Sequence, residues 1–237
     1  MAGYRLVLMG PVLSMCVPAD EVISKPSHIS YEQAAAIPTA ATVAMWFLRQ
    51  GNLQHGQRIL INGAAGGLGT FAVQIAKSLG AEVTAVCSAA NLEFVKSLGA
   101  DEVIDYTIQD FTKMGQTYDI IFDVVGKRSF PECKNSLNTN GTYLSTIVTF
   151  HGILTMIWTS AFGSKKARII VAKTGPKDLV YVNNLVKDGK IKSNIDRIYT
   201  LEQLAEAHRY AETGHAKGKI IVRIAAVSKE YDKGVTL

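Results

Sequence analysis

Residues 58–69 restrict the possible folds of this chain more than any other stretch. An apolar strand pattern, Arg58-Ile59-Leu60-Ile61-Asn62, runs straight into Gly63-Ala64-Ala65-Gly66-Gly67-Leu68-Gly69. Behind the glycines, Leu68, Phe71, Ala72, Ile75, Ala76 and Leu79 recur at helical spacing, and Gly80 supplies a stop. A strand that turns through glycines into an amphipathic helix opens a parallel βαβ unit. The chain continues in kind: residues 82–87 read as a strand, 90–98 as a helix closed by Gly99, and a short strand ends at Asp105-Tyr106. Residues 118–125 form a near-continuous apolar run suited to a central strand, with Asp123 inside it. A helix is expected at 131–137, strands at 142–148 and 167–172, a helix at 176–187, a strand at 195–199, a helix at 201–212 and a last strand at 219–224. Upstream, Ser30 and Gln33 make a capping-box pair, and the alanine-rich run 31–50 reads as a helix broken near Pro38, placing Thr39 and Thr42 at a bend. The expected fold class is α/β, a doubly wound parallel Rossmann sheet with helices on both faces.

The glycine turn carries chemistry as well as shape. Glycines between a strand and a helix let the backbone approach a pyrophosphate closely, and the helix N-terminus supplies free N–H groups and a favourable dipole. Gly66 and Gly69 are the positions on which this reading rests, because strand, helix and second strand all lie where the motif requires. Binding NAD calls for an Asp or Glu at the end of the second strand to hold the ribose 2′-hydroxyl. This chain has Val86-Cys87-Ser88-Ala89-Ala90-Asn91 there, with no carboxylate to repel a 2′-phosphate and with Ser88 and Asn91 as donors, so NADPH is the expected cofactor. No arginine at that place reinforces the choice.

Charge and cysteine content exclude other classes. The net charge of +5 and pI near 9.0 come from dispersed lysines and arginines outside any nucleic-acid module, so no nucleic-acid partner is expected. Cys16, Cys87 and Cys133 are far apart, with no C-x-x-C pair and no His/Cys cluster at zinc spacing, so no metal and no disulfide framework is expected. The apolar stretch of residues 152–162 is too short to span a bilayer, and Pro11 interrupts the apolar N-terminal run without a cleavage site following. A cytoplasmic protein with no membrane partner is expected. His208 falls in register with Leu201, Leu204, Ala205 and Ala211, which reads as a satisfied core histidine rather than a catalytic one.

With these elements placed, Val17-Pro18-Ala19-Asp20, Ala34-Ala35-Ala36-Ile37-Pro38, Ala64-Ala65-Gly66-Gly67-Leu68-Gly69, Leu98-Gly99-Ala100-Asp101, Phe122-Asp123-Val124-Val125-Gly126 and Gly218-Lys219 follow one another in a familiar order. Together they resemble the zinc-independent quinone oxidoreductases of the medium-chain dehydrogenase/reductase superfamily. The resemblance implies Thr42 near the nicotinamide and Ala65, Gly66, Gly67, Leu68 and Gly69 at the pyrophosphate. It also implies Ser88 and Asn91 near the adenosine 2′ position, Tyr106 beside the adenosine, Val125 and Gly126 at the nicotinamide ribose, and Lys219 approaching from the C-terminal side. In that family a GroES-like barrel precedes the Rossmann domain, whereas the familiar sequence starts here near Val17. The expected organisation is a remnant of the N-terminal substrate domain at 1–30, the dinucleotide-binding domain at 31–224 and a tail at 225–237.

The resulting expectation is an NADPH-dependent reductase. With no zinc to polarise a carbonyl, its substrates are small activated compounds such as quinones, enones and dicarbonyls. Thr42 is the one candidate catalytic residue, passing a proton with the ribose hydroxyls. The alternative is an NADPH-binding sensor or partner-binding protein without turnover. The apolar residues Ile153, Leu154, Met156, Ile157, Trp158 and Phe162 suit a subunit or domain contact, and residues 167–172 suit a sheet edge that a second copy covers, giving a homodimer.

Overall fold

The computed structural model describes residues 22–224. Cys16, the N-terminal run, most of the expected substrate-domain remnant and the tail at 225–237 lie outside the described residues. Helix α1 (Tyr31–Ala36) opens with the expected capping box: Ser30 Oγ accepts from the Gln33 N–H at 3.1 Å and Gln33 Oε1 accepts from the Ser30 N–H at 2.8 Å. Pro38 sits at the first position of α2 (Pro38–Gln50), where its missing N–H costs nothing. Strand β1 (Arg58–Asn62), helix α3 (Gly69–Ser78), strand β2 (Glu82–Cys87), helix α4 (Leu92–Ser97) and strand β3 (Glu102–Asp105) complete the first half. The second half holds β4 (Tyr118–Asp123), α5 (Phe130–Cys133), β5 (Leu137–Ser145), α6 (Phe150–Phe162) and β6 (Lys166–Ile169).

These six strands form one parallel sheet in the order β3-β2-β1-β4-β5-β6. That is the doubly wound order, with its switch point between β1 and β4. Alternation along β1 explains the layering. Ile59 and Ile61 enter the larger core under α2 and α3, where the Phe47 and Phe122 rings stack 5.1 Å apart, while Leu60 points into the opposite core with Val86, Ile121 and Tyr143. Helix α7 (Pro176–Lys187), strand β7 (Ile195–Thr200), helix α8 (Leu204–Glu212) and strand β8 (Lys219–Arg223) follow, and β7 and β8 pair in parallel as a separate two-stranded sheet.

Several sequence expectations need correction. The helix expected at 131–137 ends at Cys133 and gives way to a short 3₁₀ turn, and β5 starts at Leu137 rather than 142. Leu137 pairs with Tyr118, after which the register shifts so that Ile120 faces Thr142. Asn140-Gly141 therefore forms an irregularity inside a strand, with Asn140 at φ +66°. The apolar connection at 152–162 is a full helix, started by Thr149, whose Oγ1 accepts from the Gly152 N–H at 3.1 Å. The edge strand is Lys166–Ile169, not 167–172, and α8 begins at Leu204, not 201. His208 is exposed and Ala207 carries the buried face of α8, so the core-histidine reading is wrong.

Candidate functional site

The expected cofactor residues gather along the C-terminal edge of the sheet, where each strand of a parallel sheet hands over to a loop. The turn after β1 is shaped by contacts that leave no room for side chains. A Cβ on Gly69 would stand 2.1 Å from Gly63 O and 2.7 Å from Ala64 Cα, so this glycine lets α3 press against the end of β1. A Cβ on Gly67 would meet Lys219 Cδ at 2.8 Å and Gly218 O at 3.0 Å. Gly66 is different, since its nearest neighbour to such an atom is Gly63 O at 3.6 Å. Leu68 caps α3 without any side-chain acceptor, and among the described residues no backbone carbonyl takes the Leu68 or Gly69 N–H. The N-terminus of α3 thus presents unspent donors and the positive end of its dipole.

Strand β8 closes over this turn. Gly66 and Gly218 form a parallel bridge, with the Gly218 N–H donating to Ala65 O at 2.9 Å. This places the Lys219 stem across Gly67. Burial holds the Lys219 ammonium below the ordinary lysine range, and no described carboxylate pairs with it, so an anion at the turn would relieve it.

At the end of β2, Asn91 Nδ2 donates to Ser88 Oγ at 3.1 Å, while Asn91 Oδ1 is buried with no hydrogen-bond partner. An orphaned buried acceptor is costly unless a ligand answers it. As placed, the amide would meet a ribose hydroxyl, and flipped about its axis it would offer Nδ2 to a phosphate. The missing cation, invisible in the local sequence, arrives from the loop before β8: Lys217 Nζ donates to Ala90 O at 3.3 Å. Tyr106 is exposed at the end of β3, with its N–H donating to Cys87 O at 3.1 Å.

At the switch point, the fully buried Asp123 accepts from Asn62 Nδ2 at 2.9 Å, from the Gly126 N–H at 3.1 Å, from the Arg128 N–H at 3.0 Å and from Tyr143 Oη at 3.2 Å. It ties the end of β1 to the loop after β4, and its role was not read from the sequence. Val125 packs against Gly63, and Gly126 takes φ +65°. A cavity of about 280 Å³ opens beside Gly126, lined among others by Arg128, Tyr143, Ser145, Ile147 and His151. Burial, and the Asp123 charge after it, push the Tyr143 phenol far up, so it stays protonated. Thr42 stands apart: it is buried in α2, its hydroxyl donates back to Pro38 O of its own helix, and no hydrogen bond joins it to the turn. Among the described residues no group of three or more His, Cys, Asp or Glu side chains could hold a metal ion.

Comparison with known proteins agrees with this fold. Residues 98–222 match the family model described as zinc-binding dehydrogenase. The chain is 35% identical over 236 residues to "NAD(P)H oxidoreductase RTN4IP1, mitochondrial" of Mus musculus, covering 88% of this chain and 59% of that protein. It is 33% identical over 211 residues to the "Chloroplast envelope quinone oxidoreductase homolog" of Arabidopsis thaliana, covering 84% of this chain and 64% of that protein. Among solved structures, the quinone oxidoreductase from Coxiella burnetii superposes with a TM-score of 0.79 at 30% identity, covering 87% of this chain and 65% of the other. The chain thus spans about three fifths of the length of the curated relatives it matches.

Proposed function

The chain belongs to the zinc-binding dehydrogenase family of the medium-chain dehydrogenases and reductases, and on that premise we propose that it is an oxidoreductase using NADPH. The observation that carries the reading is the α3 N-terminus at the switch point, with its unspent N–H groups next to Gly67, across which the half-buried Lys219 stem lies. The bound nicotinamide supplies the hydride. The residues around it do the rest. Gly67, Leu68 and Gly69 bind pyrophosphate through backbone N–H groups, Gly66, whose own N–H donates to Gly63 O, leaves it room, and Lys219 neutralises it. Ser88, Asn91 and Lys217 receive the 2′-phosphate, and Tyr106 lies against the adenosine. Val125 and Gly126 border the ribose, with their loop held by Asp123.

The acceptor is a small quinone, enone or dicarbonyl, whose electrophilic carbon needs no metal. The described residues offer no donor set for zinc. Thr42 is the proposed catalytic residue. To pass a proton its hydroxyl must leave Pro38 O, and Thr42→Val removes that route. The organisation into 1–30, 31–224 and 225–237, a homodimer through the β6 edge and a cytoplasmic location complete the reading. The names of the mouse and Arabidopsis relatives point instead to organelles, which cell fractionation decides.

Calorimetric titration with NADPH and NADH, followed by NADPH-oxidation assays with quinones, enones and dicarbonyls, tests the proposal. Tighter binding of NADPH, with turnover, is the expected result. Lys217→Ala should cut the NADPH-over-NADH preference about tenfold, the size of one charge-assisted contact. Binding without turnover would favour the sensor reading, and no binding at all would end the cofactor assignment.

A further inference from the structure

We propose that the cavity beside Gly126 receives the acceptor, and that it fits a single planar ring whose oxygen is held as an anion. This deepens the reading above and rests on its placing of the nicotinamide ribose at Val125 and Gly126. The cavity, about 280 Å³, lies between α5, the end of β5 and the side of α6 that carries Gly152 and Thr155. That volume is at the lower limit of small-molecule sites, enough for one ring or a short conjugated chain and too little for an acyl group carried on a nucleotide. Much of the wall is apolar: Phe130 and Ile169 are buried, and Pro131 and Ile147 complete it. The Phe130 ring stands 6.3 Å from that of Tyr143, edge to face, which fixes the width of the slot from below.

The polar groups of the wall divide by what the fold has already used. The Tyr143 hydroxyl donates to Arg128 O at 2.6 Å, and Arg128 itself pairs with Asp110 at 3.0 Å and Glu132 at 3.8 Å. Glu132, the one carboxylate among the described lining residues, accepts from the Ser129 N–H at 2.7 Å and from Ser129 Oγ at 2.6 Å. What is left over is electropositive. Ser145 is 4% exposed, its Oγ accepts from the Ile147 N–H at 3.2 Å, and no carbonyl or carboxylate among the described residues takes its proton. The Phe150 and His151 N–H groups, the first of α6, have no described acceptor either. The Lys127 and His151 side chains line the cavity and make no ion pair with a described residue. A buried hydroxyl with an unspent proton, a helix N-terminus and two unpaired basic side chains around an apolar slot suit an oxygen that carries negative charge. Such an oxygen arises in the proposed reaction. When hydride adds to the electrophilic carbon of an enone, a C–H bond forms, the C=C electron pair shifts towards the carbonyl and its oxygen becomes anionic. Ser145, Lys127 and His151 stabilise that charge where it appears, water or Thr42 supplies the proton that completes the product, and the cofactor leaves oxidised.

The test titrates the purified full chain, without NADPH, with 4-nitrophenolate, a planar ring bearing an oxyanion, and with 4-nitrotoluene, its neutral counterpart. The expected result in calorimetry is a single site that binds the phenolate about tenfold more tightly than the neutral ring. Thr155→Phe, which fills the slot, should abolish binding of both. Ser145→Ala, and separately Lys127→Ala with His151→Ala, should weaken the phenolate by about three- to tenfold and leave 4-nitrotoluene unchanged, and Ser145→Thr should restore it. Urea unfolding of each variant separates a lost contact from a lost fold. Equal affinity for the two probes, binding of neither, or a phenolate affinity untouched by Thr155→Phe would overturn the proposal, the last because it places the anion elsewhere, as at Lys219. In turnover with 2-cyclohexenone, 4-nitrophenolate should compete with the enone, and inhibition that excess enone does not relieve would remove the acceptor from this cavity. A chain that binds the ring but does not oxidise NADPH would end the oxidoreductase reading, whereas turnover without ring binding would end this one, so the two fail separately.

Discussion

At the level of single residues, the glycine turn separates stability from binding. Gly69→Ala forces a methyl into Gly63 O and Ala64 Cα, which are backbone atoms and cannot step aside, so a loss of about 2–3 kcal/mol is expected in urea unfolding. Gly66→Ala meets nothing closer than 3.6 Å and should leave unfolding within about 0.5 kcal/mol of wild type while weakening NADPH binding in calorimetry. The sequence named both glycines for one reason, and the structure divides the labour between them. The buried cysteines give a pH prediction. Burial first, then the Asp105 charge, pushes the Cys87 thiol up to about 11, and burial with Asp123 pushes Cys133 up to about 12, from 9.0. A pKa raised by folding contributes stability that is complete below the unfolded value and lost as pH rises through the folded one. Stability of wild type relative to Cys87→Ala/Cys133→Ala should therefore be level below pH 9 and fall between 9 and 12, as read from denaturant midpoints. At neutral pH both thiols should resist alkylation in the native protein, checked by mass spectrometry of the labelled peptides.

Among the elements, those with strong periodicity and clear caps are legible in the amino-acid pattern itself. The boundaries Arg58–Asn62, Glu82–Cys87 and Pro176–Lys187 match their expected spans because local propensity and tertiary need agree there. Where they conflict, the pattern misleads. Residues 131–137 read as a helix and 142–148 as a strand, yet pairing of Leu137 with Tyr118 starts the strand at Leu137 and carries it through Asn140-Gly141. In α6 apolar side chains cover the outward half of the helix, so the pattern that marks a core-facing stripe is missing. The β7–β8 sheet matters to the site because its second strand enters over the glycine turn through Gly218, at φ +96°, where a Cβ would stand 2.3 Å from Asn194 O. Gly218→Ala should cost about 1–3 kcal/mol and, by shifting Lys219 off Gly67, lower NADPH affinity as well. A variant that loses stability with cofactor affinity intact would show that β8 does not position the lysine.

For the molecule as a whole, the proposed site draws on both halves of the sheet and on the strand that follows it, so binding of the proposed cofactor would be linked to folding. Cofactor at 100 times its Kd adds about 2.7 kcal/mol to the folded state. In a chain of this size that should raise Tm by roughly 5–10 °C, and NADH should give less than NADPH at equal concentration. Equal shifts for the two would remove the roles assigned to Ser88, Asn91 and Lys217. The sequence alone determined the α/β class, the switch-point turn and the absence of a carboxylate after β2, because each rests on contacts within a few residues: a strand, a glycine turn, a helix dipole. Only the tertiary structure decided that Lys219 lies across that turn and Lys217 beside the end of β2, that Asp123 locks the loop after β4, and that α6 faces outward. These depend on which strands become neighbours and on the side of the sheet each helix reaches, and residues as far apart as Ala65 and Gly218 meet only once the chain has folded.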